Sequence, residues 1–306
     1  MKHKSVLLEE VIEYLNVSEG KFYIDATVGY AGHSGEILRK LNKKGFLFAF
    51  DQDIEAITYS NNKLSGIADN YKIIKSNFHD MNKYIDRKVD GILFDLGVSS
   101  PQLDEAERGF SFHKDAELDM RMDKDNPLTA KEVVNNYSYE KLVDIFYRFG
   151  EENYSKQIAK NIIKNRPINT TLELSEIIKN SVPESYRNKH HPARKIFQAI
   201  RIEVNHELDI LEESLLNAFD LLNVGGRLAV ISFHSLEDKI VANTFKKLCS
   251  DDESARHLPF VPDDLKARAK KVIKIVPSDE ELNDNNRSRS SKLRVIERVK
   301  WKRKNM

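Results

Sequence analysis

The stretch Phe22-Tyr-Ile-Asp25-Ala-Thr-Val-Gly29-Tyr-Ala-Gly32-His-Ser34-Gly35 decides the fold. It opens as a short apolar run of strand type, ends that run on an acid, and passes through a glycine-punctuated turn. From Ser34 to Leu41 the apolar spacing is helical. Gly45 to Phe50 (GFLFAF) is continuously apolar, the pattern of a strand buried on both faces. Ile54 to Leu64 is helical again, and Tyr71 to Ile74 and Asp90 to Leu96 read as two further strands. Such alternation predicts an α/β fold: a parallel sheet with helices on both faces.

Past Gln102 the character changes. Leu103 to Asn126 is charged and irregular, and Ala130 to Asn180 is polar with helical spacing. His191-Pro192 opens an amphipathic stretch through Leu222, with room for a break near Asn205. Val224-Gly-Gly-Arg227 reads as a turn, Leu228 to Phe233 as a buried strand, and Lys271 to Val276 and Leu293 to Val299 as a closing pair of strands. The expected organisation is a sheet-building part at residues 1–102, a helical insertion at 103–205 and the completion of the sheet at 206–306.

Composition bounds the function. The chain has 306 residues, 40% apolar and 32% charged, which is ample for a core and too apolar for disorder. One cysteine, Cys249, excludes a disulfide framework and a cysteine-based zinc site. No apolar run reaches the ~20 residues of a membrane span, and Met1 to Glu10 carries no signal-peptide core, so a cytoplasmic protein without membrane or metal is the expectation. Net charge is +1, but unevenly placed. From Asn285 onward nine basic residues stand against Glu297 alone, a net +8, which leaves −7 on the rest of the chain. A basic end on an acidic body suits a polyanion such as nucleic acid.

Four sites carry candidate chemistry. Gly29, Gly32 and Gly35 bring backbone close to a ligand between a strand and a helix. Their G-x-x-G-x-x-G spacing is neither a P-loop nor a dinucleotide fingerprint, which disfavours a nicotinamide dehydrogenase and leaves an adenosyl ligand open. Asp51 closes the second strand 22 residues after Gly29, the placement of an acid that accepts ribose hydroxyls. Phe78, just past the third strand, is placed to stack on adenine or simply to fill the core. Asp95 closes the fourth strand, beside the expected switch point, and leads into Ser99-Ser-Pro-Gln102. A hydrolase triad built on Ser34, or on Ser235 with His234 and Asp238, lacks a nucleophile elbow, and no H-E-x-x-H occurs among the nine histidines.

Together these segments resemble one family, the MraW-type 16S ribosomal RNA cytosine-N4 methyltransferases. The matching stretches are His3 to Val11, Asp25 to Ser34, Asp51 to Asp53, DLGVSSPQLD (Asp95 to Asp104), Arg108 to Phe112 and LDMRMD (Leu118 to Asp123). They continue with Phe197 to Arg201, Val204-Asn205, Gly225 to Leu228, ISFHSLED (Ile231 to Asp238), Arg287 to Ser290 and Lys292 to Arg294. The chain departs from the family at Ala31, where relatives more often carry a second glycine, at Lys114 to Glu117 and at Ala193 to Ile196.

The resemblance implies a class I (Rossmann-like) methyltransferase sheet with an inserted helical substrate-recognition domain, and S-adenosylmethionine as donor. It implies a donor site of Ala31, Gly32, His33, Asp51, Phe78, Asp95 and Gln102, with Asp51 on the ribose and Phe78 against the adenine. The implied target is the N4 amine of cytosine 1402 in the decoding centre of 16S ribosomal RNA in the small subunit. Asp95 is then the candidate acceptor of the amine proton, with the Ser99 to Gln102 backbone as its rival, and Arg287, Arg289 and Arg294 are candidate phosphate contacts. Two alternatives stay open: methylation of another exocyclic amine in RNA or DNA, and a non-catalytic RNA-binding assembly factor on the same scaffold.

Overall fold

The computed structural model describes residues 5–188 and 191–300. The chain divides into two compact units. One runs to Gly97 and resumes at Leu208; the other spans Val98–Glu207. The sequence reading opened the insertion at residue 103, past the Asp95 loop, whereas the second unit already begins at Val98.

The first unit is a seven-stranded sheet: β1 (Phe22–Asp25), β2 (Phe46–Asp51), β3 (Tyr71–Lys75), β4 (Val89–Asp95), β5 (Leu222–Ser232), β6 (Ala269–Ile275) and β7 (Lys292–Arg298). Their order is β3-β2-β1-β4-β5-β7-β6. β1 to β5 are parallel, and β7 runs antiparallel between β5 and β6. The order reverses between β1 and β4, so the ends of Asp25 and Asp95 flank the switch point, where open α/β sheets bind ligands. Both faces are covered, each by its own apolar core: Phe50, Ile92, Phe94 and Val230 pack on one side, and Leu47, Ala49, Leu93 and Ile231 on the other. Two-sided burial is what the unbroken GFLFAF run requires.

One reading needs correction. Val224 to Arg227 is not a separate turn but lies inside β5, where the pairing jumps from Val89↔Leu222 to Gly91↔Arg227. The glycines serve a bulge there, with Gly225 at φ 82°.

Arg298, counted above with the basic tail, belongs to the core. Its guanidinium donates to the carbonyls of Phe219, Asp220 and Leu222 at 2.7, 3.1 and 3.3 Å and lies 5.1 Å over the Phe219 ring. It caps the end of helix Leu211–Leu221, whose last carbonyls have no partner within the helix. Arg298→Ala strands those carbonyls and opens a void. The expected loss is about 3 kcal/mol, read as a lower urea midpoint at unchanged slope.

The second unit is helical. Its main helices are Ala130–Asn136, Tyr139–Arg148, Ser155–Lys164, Thr171–Asn180 and Ala193–Asn205. Ser and Thr side chains cap three of them: Thr129, Ser138 and Thr170 each accept an N–H of the first turn. The amphipathic stretch breaks where expected: Asn205 ends one helix, His206 turns left-handed at φ 52°, and the next helix starts at Leu211. Asn205 also pins the LDMRMD segment, accepting from Met122 N and donating to the Met120 carbonyl, each at 2.8 Å. Arg108 is buried and donates to the Arg121 carbonyl at 3.0 Å. These motif residues hold an irregular segment in place by satisfying its backbone.

Candidate functional site

The glycine loop is shaped by two left-handed residues. At Gly29 (φ 48°) a Cβ would stand 3.9 Å from the Thr27 carbonyl oxygen, an ordinary contact, and Ala31 (φ 52°) precedes helix Gly32–Leu41. Ala31 takes a conformation suited to glycine, at a cost of about 1–2 kcal/mol. Gly32 meets the opposite constraint: a Cβ there would lie 1.6 Å from Ser5 Oγ, so the N-terminal segment packs directly on the loop.

Asp51 ties this loop to β2. Its Oδ2 accepts from Gly29 N and its Oδ1 from Asp53 N, both at 2.9 Å. Burial pushes its carboxyl up to about 6, against the pull of those N–H donors, and the nearby Asp53 charge adds to the rise. Each oxygen keeps a lone pair for a further donor, which suits a vicinal pair of ribose hydroxyls. Phe78 opens the turn after β3 and meets Phe94 edge to face at 5.3 Å. Only part of the ring is buried, so it both fills the core and offers a face. Asn77 joins the ends of β3 and β2 through Gln52 Oε1 at 3.1 Å.

The densest polar cluster lies at the ends of β1 and β4. Asp95 N donates to Thr27 Oγ1 at 2.7 Å, fixing the strand end. Asp95 Oδ2 lies 3.4 Å from His33 Nδ1, and His33 Nε2 lies 2.9 Å from the Val6 carbonyl. Asp95 Oδ1 is buried without a hydrogen-bond partner among the described residues. A lone buried carboxylate oxygen is costly, and at a strand end it asks for a ligand N–H or O–H. Asp25 accepts from Ser34 Oγ at 2.6 Å and Thr27 N at 3.1 Å, and burial keeps its carboxyl above the usual range. Burial works against a charged His33. The Asp95 and Asp25 carboxylates and the Val6 carbonyl outweigh it, and the imidazole titrates above its ordinary range.

Six of the seven residues assigned to the donor site therefore stand at the strand ends of one unit: Ala31, Gly32, His33, Asp51, Phe78 and Asp95. Gln102 lies in the other unit, where its side chain makes a capping box. Oε1 accepts from Ser99 N at 3.0 Å, and Ser99 Oγ receives Gln102 N at 3.4 Å. Thr27, Asp25 and Ser34 were not assigned to the site, yet they build its floor. Their signal is only an acid at the end of β1 and a hydroxyl nine residues on.

The basic residues fare unequally. Arg287 and Arg289 are exposed. Arg294 is committed to the fold: it holds Asp238 through two bonds of 2.7 and 3.2 Å, beside Lys292 at 2.8 Å. Burial would raise the Asp238 carboxyl, but these two cations hold it at about 2. Lys300 donates to the Asp263 carbonyl, and Lys302, Arg303 and Lys304 lie outside the described residues, as does His190. Asp238 thus serves an ion pair, and His234 caps the helix after β5 by accepting from Glu237 N at 3.4 Å, so neither completes a triad with Ser235. Among the described residues, no group of three or more His, Cys, Asp or Glu side chains is placed to hold a metal, and no helix is long and apolar enough to cross a membrane.

The sequence matches the model of the MraW methylase family over residues 1–299. Among solved structures, similar ones include an rRNA methylase from Streptococcus thermophilus, 12% identical, covering 98% of this chain and 100% of that one at a TM-score of 0.45. Another is SMU.1697c of Streptococcus mutans in complex with SAH, 13% identical, covering 97% and 100% at a TM-score of 0.47.

Proposed function

Because this chain belongs to the MraW methylase family, it is an S-adenosylmethionine-dependent methyltransferase, and we propose that its acceptor is the N4 amine of cytosine 1402 in the decoding centre of 16S ribosomal RNA. The observation that carries the amine reading is Asp95 Oδ1, a buried acceptor without a partner at the switch point. The residues present fit the donor as well. Asp51 offers two lone pairs to ribose hydroxyls, Phe78 a ring face to adenine, and Ala31 to His33 a backbone drawn close by its left-handed turn. Gln102 joins this set through the family resemblance.

The donor supplies a methyl group on a cationic sulfur. Cytosine N4 is a weak nucleophile because its lone pair is conjugated with the ring. Asp95 Oδ1 accepts one N–H, which concentrates that lone pair on nitrogen as the N–C bond forms and the S–C bond breaks. One N–H proton then leaves to the carboxylate or to water, and the product is a neutral N4-methyl amine. Holding the amine in line supplies the rest, up to ~7–11 kcal/mol where alignment is good.

A cytosine in folded RNA must be unstacked to reach such a site. The helical unit serves substrate recognition in this reading, and Arg287 and Arg289 meet phosphates; Arg294 is a weaker candidate because Asp238 already holds it. Reversing both charges, with Arg287→Glu and Arg289→Glu, is expected to weaken RNA binding and to lower the slope of log affinity against log salt by about 1–2. Unchanged slopes would remove these residues from the interface.

The deciding experiment offers labelled S-adenosylmethionine to small subunits and to free ribosomal RNA from cells lacking the enzyme, followed by nucleoside digestion. Label in N4-methylcytidine is expected. Label in another nucleoside would move the target to a different exocyclic amine. Donor binding without transfer to either substrate would overturn the cytosine reading, and absent donor binding would favour a non-catalytic assembly factor.

A further inference from the structure

We propose that His33 is an imidazolium in the resting protein and a positioning residue for Asp95, holding Oδ2 so that Oδ1 stays turned toward the ligand; the catalytic part of this inference rests on the amine reading above. The argument is one of proton placement. A carbonyl oxygen carries no proton, so at 2.9 Å from Val6 O the His33 Nε2 must be the donor. In a neutral ring Nδ1 would then be a lone pair, 3.4 Å from the Asp95 carboxylate. A carboxylate oxygen facing a lone pair is an unfavourable neighbour, and a proton on Nδ1 turns the same approach into an ion pair of imidazolium and carboxylate.

The surroundings choose Nδ1. His33 is 4% exposed and faces two acids: Asp95 from β4 and Asp25 from β1. Asp25 is held by Ser34 and Thr27. From the other packed elements, Glu281 is engaged by Leu7 N at 2.9 Å, and Glu237 by Phe233 N at 2.8 Å. A cation between two carboxylates is the stable assignment, and the raised titration of His33 agrees with it. The imidazolium bridges the N-terminal segment at Val6 to the end of β4, so its charge fixes Asp95 and anchors the segment packed on Gly32.

The test begins without RNA or donor. Nitrogen-15 NMR of the histidine-labelled full chain, with His33 assigned through His33→Gln, is expected to show both ring nitrogens protonated below its titration midpoint. Its midpoint should lie above the ordinary ~6.5. In Asp95→Asn that midpoint should fall. A midpoint at or below the ordinary ~6.5, or one that Asp95→Asn leaves in place, would overturn the assignment.

His33→Gln keeps an N–H for Val6 and removes the cation. If His33 positions Asp95, kcat falls about 10-fold. The alkaline limb that follows the His33 midpoint in the wild-type profile is then absent. Wild-type kcat and profile in a folded His33→Gln protein would overturn the positioning role. Because the NMR result needs no substrate, it stands or falls separately from the cytosine assignment.

Discussion

Asp95→Asn is expected to lower kcat by about 10²- to 10⁴-fold, the range for a lost proton acceptor. The substitution keeps the shape and removes the charge. Thr27 still receives the Asp95 backbone N–H at 2.7 Å, so the end of β4 should hold. An amide nitrogen at the Oδ1 position would present a donor to an amine that is itself a donor. Single-turnover transfer of labelled methyl, with donor affinity measured separately by calorimetry, separates two roles for the carboxylate. If Asp95 faces the acceptor amine, kcat and kcat/KM fall together while donor affinity is kept. If it holds the ammonium of the donor instead, affinity falls first. Near-normal turnover would mean the orphaned oxygen has no part in catalysis.

The contrast between what was and was not legible in the sequence is physical. The parallel core was legible because GFLFAF and DGILFDL are unbroken apolar runs, and two-sided burial leaves that mark on composition. The switch point followed, since strand order places the ends of β1 and β4 side by side. The strand-end placement of Asp51 beside Gly29 was legible from their 22-residue spacing. The capping role of Gln102 was also written there, because Ser99-x-x-Gln102 is the spelling of a capping box, a signal passed over in favour of the acceptor loop.

Other features were not legible. A charge count cannot see that both faces of β7 are covered, so Arg298 looked like tail charge when it closes the end of a helix. Arg294 looked free because its partner Asp238 lies 56 residues away. The His33–Asp95 contact depends on the left-handed turn at Ala31, and an alanine does not announce that conformation as glycine does. Local pattern thus reports burial and spacing well. It does not report the pairing of polar groups across the sheet, and the chemistry of this site rests on that pairing.

That pairing also sets the pH dependence of the donor site. Asp51→Asn is expected to cost about 10²-fold in S-adenosylmethionine affinity. Two ribose hydroxyls that bonded a carboxylate would meet one amide oxygen and one N–H. The loss of roughly 1.4 kcal/mol at each position corresponds to that factor. With Asp51 on the ribose as proposed, the ionised form is the one that accepts both hydroxyls. Its carboxyl is raised from an ordinary 3.8 to about 6. The fold therefore favours protonated Asp51: its contribution to stability is fully present below pH 3.8 and is lost as pH rises through about 6. Donor binding runs the other way. Affinity should be flat above about 6 and decline about tenfold per pH unit below it, as protons compete with the ribose for the same carboxylate. Calorimetric titrations from pH 5 to pH 8 test this on the free protein, with no RNA present. In Asp51→Asn the acid limb should vanish along with the affinity. An acid limb that persists in that variant would assign the titration to another group, and Asp25, buried nearby with a raised carboxyl of its own, would be the next to replace.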